Sequence, residues 1–133
     1  MIDYDKFIEG TISEVTPNIF LRTVEVGVVS ADSSKKYRVN FENVFDMVVD
    51  GMRLNNTVDE FLLHENFNDG DVLSKLKFLL IGDHSEYIEG VNSHVDIRVA
   101  DLKSGKLKLW EFSPNYGALI LILSERCSVT VIS

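Results

Sequence analysis

The last forty residues constrain the fold most. From 94 to 133 the chain reads as short apolar and β-branched runs cut by turn signals: 94–102, a turn at Lys103-Ser104-Gly105, 106–112, a turn over 113–117, then 118–123 and 128–132. A sheet of that size has one apolar face to bury, and the earlier segments must supply its cover. Val95, Ile97 and Val99 are expected to point inward, opposite Asp96 and Arg98. Leu107 and Leu109 alternate with Lys106 and Lys108, yet Trp110 and Phe112 fall on the lysine side. A bulge near Trp110, or a strand whose two faces are covered differently, would reconcile this.

Upstream, residues 6–15 read as a strand that ends in a turn at Pro17-Asn18. Residues 19–29 follow as a central strand, with Phe20, Val24, Val26 and Val28 on one side. Residues 36–41 set Tyr37, Val39 and Phe41 toward a core; Glu42-Asn43 breaks the run and 44–49 resume it. Thr57-Val58-Asp59-Glu60 has the form of a capping box that would open a short helix, although the same residues also fit a strand. After the turn Asn68-Asp69-Gly70-Asp71, the spacing of Val72, Leu73, Leu76, Leu79 and Leu80 predicts a helix over 71–79, and 82–92 reads as a loop. The expected fold is mainly β: an antiparallel sandwich or open barrel with one or two short helices between residues 57 and 80. All 133 residues form one domain, a length that buries roughly two thirds of the unfolded chain's surface.

Charge is unevenly distributed. Of the formal net charge of −8, eight carboxylates and the single base Arg53 place −7 between residues 42 and 71, while the other 103 residues carry thirteen acids and twelve bases. Such a segment attracts a basic protein partner by long-range steering and disfavours nucleic acid, whose phosphates require a basic patch. The expected contact residues are Asp46, Asp50, Asp59, Glu60, Glu65, Asp69 and Asp71, with Phe61 and Phe67 as apolar anchors. Trp110 and Tyr116, close in sequence around Pro114, offer an alternative: ligand-binding aromatics in the mouth of a barrel. A homodimer formed through an exposed strand edge is a further reading.

Catalytic and metal motifs find little support in the residues. A site built from His84, His94 and Asp96 lacks the tight ligand spacing of a zinc centre. No serine stands in a Gly-x-Ser-x-Gly turn, and the glycines at 51, 70 and 82 are isolated rather than grouped into a phosphate loop. The expectation is a protein without enzymatic activity, metal or other cofactor. The longest apolar run, 118–123, is too short to cross a bilayer. The lone Cys127 fits a reducing compartment, and the acidic start Met1-Ile2-Asp3-Tyr4-Asp5 is not a secretory signal, so a cytoplasmic protein with no membrane association is expected.

The stretch Tyr37-Arg38-Val39-Asn40-Phe41-Glu42-Asn43-Val44, with Gly117-Ala118-Leu119-Ile120-Leu121-Ile122-Leu123 and Ser128-Val129-Thr130-Val131, resembles small bacterial all-β proteins found beside polymorphic toxins, some assigned as immunity proteins. The likeness is one of strand pattern and transfers no functional residue. It implies a protein that neutralises a toxin by binding it, and an acidic segment would suit a basic target.

Overall fold

A computed structural model describes residues 2–132; Met1 and Ser133, the outermost residues of the two terminal stretches read above, lie outside the described residues. Six strands, β1 (Thr11–Asn18), β2 (Thr23–Val29), β3 (Lys36–Asp50), β4 (Thr57–His64), β5 (Lys108–Tyr116) and β6 (Leu119–Val131), close into an antiparallel barrel in the order β1-β2-β3-β6-β5-β4. Between β4 and β5 the chain forms two helices, α1 (Gly70–Ile81) and α2 (Ser93–Ser104). The expected mainly β fold with short helices is the one observed.

The barrel has two cores because some of its strands are buried on both faces. Inside, Val24, Val26, Val39, Phe41, Phe61, Trp110, Phe112, Ile120 and Ile122 pack together. Outside, Leu109, Leu121 and Leu123 lie under Val72, Leu73 and Leu76 of α1 and Val95, Val99 and Leu102 of α2. The continuous run 118–123 follows from this: Ile120 and Ile122 face in, while Leu121 and Leu123 face the helices. The same arrangement answers the puzzle of β5. Leu109 and Glu111 lie beneath α1, and Trp110 and Phe112 fill the barrel, so the lysine side is the interior side.

Three sequence expectations are corrected, and the open choice between helix and strand at 57–64 is decided. Residues 94–102 are helix α2, not a strand. Val95 and Val99 share a face at period 2 and at period 3.6, but Leu102 joins them only in a helix, and Ile97 is 52% exposed. Asn92 caps that helix by accepting from Val95 N at 3.2 Å, and Gly105 ends it at φ 81°. Residues 57–64 form a strand rather than a capped helix, since Phe61 pairs with Phe112 and stacks on it at 4.1 Å. Residues 36–50 and 119–131 are each one long strand, the first bent by a bulge between Val44 and Asp46 next to Asn43 at φ 50°. Finally, residues 6–15 are not one strand. Tyr4–Phe7 is a 3-10 turn that drives the fully buried Phe7 into the barrel end, edge-on to Tyr37 and Phe61 at 5.3 Å each.

Candidate functional site

In the barrel order, β3 and β4 stand three places apart in either direction. Asp46 and Asp50 on β3 therefore occupy the wall opposite Asp59 and Glu60 on β4, and the acidic segment is not one continuous face. Several of its members also have local roles. Asp46 accepts from Met47 N at 2.8 Å, and Asp69 caps α1 by accepting from Asp71 N at 2.9 Å, which puts Asp71 in the helix's first turn. Glu42 pairs with Arg126 at 3.2 Å across β3 and β6. Asp59, Glu60 and Glu65 remain exposed along β4 and just beyond it.

The proposed aromatic anchors fare differently. Phe61 is 2% exposed in the barrel core and is not accessible to a partner. Phe67 is half-buried against the outer core. Trp110 and Tyr116 do not share a mouth: the first is buried inside, while the second stands 54% exposed at the far end of β5, 5.6 Å from the Arg53 guanidinium.

The most conspicuous exposed apolar group was not anticipated. Ile19, Phe20 and Leu21 form the tip of the β1–β2 hairpin and are 78%, 97% and 69% exposed. The sequence pattern places them at the start of a central strand, with Phe20 on the side of Val24, Val26 and Val28; in the structure the pairing of β2 with β1 begins only at Thr23. The available signal was the failure to alternate: three large apolar residues in a row directly after Pro17-Asn18.

This tip is held in place. Asn18 Oδ1 accepts from Leu21 N at 3.0 Å. Arg22, at φ 57°, accepts through its carbonyl from Val44 N at 2.8 Å and donates Nη2 to the Phe45 carbonyl at 3.2 Å. Both contacts land on the bulge of β3, where that strand overhangs β2. Between tip and overhang lies a depression of about 300 Å³, lined by Pro17, Ile19, Val24, Val44 and Met47, with Asp46 and Arg22 on its border.

A second built cluster lies under α1. Glu111, 3% exposed, receives His64 Nε2 at 2.6 Å and Lys75 Nζ at 2.8 Å on one carboxylate oxygen. Burial raises the carboxyl's pKa, but the His64 and Lys75 hydrogen bonds outweigh it and hold the group below its ordinary value. The cluster ties β4, β5 and α1 together.

The histidines considered for a metal are dispersed. His84 stacks on Phe78 at 4.0 Å, and Asp96 accepts from the Tyr87 hydroxyl at 2.7 Å and from Gly90 N at 3.1 Å. Among the described residues, no group of three His, Cys, Asp or Glu side chains is arranged to hold a metal ion. Nor is any helix of the described residues long and apolar enough to cross a membrane. No family model, curated protein or solved structure matches the chain, so its site is defined by its own residues alone.

Proposed function

We propose that this protein is a protein-binding module without catalytic activity, anchored by the Ile19-Phe20-Leu21 hairpin tip. The observation that carries the reading is the 97% exposure of Phe20 on a tip that is fixed rather than loose. Burying a large apolar side chain is worth about 1.5–3 kcal/mol. A soluble chain forgoes that at three successive positions, and a partner recovers it. Because Arg22 and Asn18 already hold the tip, little ordering entropy is lost on contact.

Net charge selects the partner. Long-range steering depends on the summed field, so dispersal of the carboxylates over two walls leaves the attraction of a −8 chain for a basic protein in place. A basic toxin, neutralised by occlusion, is the partner that the resemblance to immunity-type proteins suggests. A second reading, a homodimer, is favoured by one observation: Phe20 stands beside a depression of about 300 Å³, and a knob next to a hole is self-complementary under two-fold symmetry.

The test is capture from lysate by wild type and by Phe20→Asp, followed by direct binding of the purified captured protein and light scattering of both variants alone. A basic protein that binds wild type and not Phe20→Asp supports the first reading. A wild-type dimer that Phe20→Asp makes monomeric supports the second. A monomer whose captured partners are unaffected by Phe20→Asp overturns both.

A further inference from the structure

We infer that the barrel end beneath the N-terminal turn is a binding site for a small apolar carboxylate. Here β6 overhangs β5: the pairing of the two strands stops at Lys108 with Ser124, while β6 continues on β3 to Val131. The gap opens a cavity of about 550 Å³, lined by Tyr4, Leu63, Lys108, Trp110, Arg126 and Cys127 among others. That volume is within the range of about 300–1,000 Å³ typical of small-molecule sites.

The polar lining of this cavity includes the donors Trp110, Lys108 and Arg126 and the carboxylates Glu42 and Glu65. Trp110 is 3% exposed, and its Nε1 has no hydrogen-bond partner among the described residues, an expensive state for a buried donor that has no acceptor function. The Tyr4 hydroxyl stands beside the indole without completing a hydrogen bond to it, and burial raises that hydroxyl's pKa, so it keeps its proton. Burial pushes the Cys127 thiol up to about 12, which leaves it a neutral wall. On the rim, Arg126 is taken by Glu42, whereas Lys108 is in no ion pair among the described residues.

An acceptor is therefore missing at the inner end and an anion at the outer end, with an apolar body between them. A medium-chain carboxylate with a hydroxyl oxygen at the far end of its chain, an ω-hydroxy acid, has that form. Glu65, also on the rim, opposes the anion and keeps its affinity modest.

The chain offers two direct reporters, because its single tryptophan and its single cysteine both line this cavity. 8-Hydroxyoctanoate is titrated against intrinsic tryptophan emission, with octane-1,8-diol as the uncharged control, and Cys127 alkylation is timed with and without 8-hydroxyoctanoate. The expected result is a saturable emission change with 8-hydroxyoctanoate and slower alkylation. Lys108→Gln should weaken 8-hydroxyoctanoate about fivefold, the size of one exposed charge pair, leave octane-1,8-diol unchanged, and be opposed in sign by Glu65→Gln. No saturable change with 8-hydroxyoctanoate overturns the site. Binding of 8-hydroxyoctanoate that neither substitution alters overturns the carboxylate assignment.

Discussion

The Glu111 carboxylate and the His64 imidazole meet at 2.6 Å, on neighbouring strands β5 and β4, under the first turns of α1. Lys75 reaches the same oxygen from the helix at 2.8 Å. An outer face lined by leucines would let α1 slide; a buried carboxylate with two partners fixes its register. Glu111→Gln removes the charge on which both donors rely and should cost about 1–3 kcal/mol in urea denaturation at neutral pH.

The pH dependence of that difference has a definite sign. The carboxyl titrates lower in the folded chain than its ordinary 4.5, so its contribution is present above that value. It is lost as pH falls through the folded pKa. The stability gap between wild type and Glu111→Gln should therefore hold steady above pH 5 and shrink in acid. A gap that widens in acid would contradict the geometry.

Phe20→Asp should leave stability within about 0.5 kcal/mol, because a fully exposed side chain has no packing to lose. Thermal melts of the two proteins should overlay. A marked drop would mean that the tip packs on the barrel rather than projecting from it.

Asn56, 1% exposed, pins the loop between β3 and β4 to the turn between β5 and β6. Its Oδ1 accepts from Arg53 N at 2.8 Å and Ala118 N at 3.0 Å, and its Nδ2 donates to the Arg53 carbonyl at 2.7 Å. Asn56→Ala strands those backbone groups and should cost about 2–3 kcal/mol. Gly117 sits against the same amide at φ 88°, where a Cβ would collide with Asn56 Oδ1. Gly117→Ala should accordingly destabilise by more than about 1 kcal/mol, and the two losses should be less than additive because they break one contact.

Cys127 should alkylate far more slowly at pH 8 in the folded chain than in urea, since its thiol is pushed up to about 12 by burial. The unfolded thiol ionises near 9 and the folded one does not. Stability associated with this group is thus complete below pH 9 and declines as pH rises from there toward 12. Equal alkylation rates with and without urea would place the thiol in solvent.

Side-chain pattern alone determined that the chain is mainly β and that a helix follows Asp69, because an alternating run and a capped 3.6-residue stripe each bury one face in only one way. It left the strand at 57–64 open and misread 94–102, where two periods agree over four residues and only Leu102, Asn92 and Gly105 separate them. Tertiary structure decided the rest. Closure of the barrel put β3 and β4 on opposite walls and so split a continuous acidic stretch, and it drew Phe61 inside while leaving Phe20 out. It also joined His64, Lys75 and Glu111, up to 47 residues apart, and gathered Tyr4, Trp110 and Cys127 around one cavity. Local sequence fixes which way a side chain points from its own element; which other elements it then meets is set by strand order, and strand order is a property of the closed sheet.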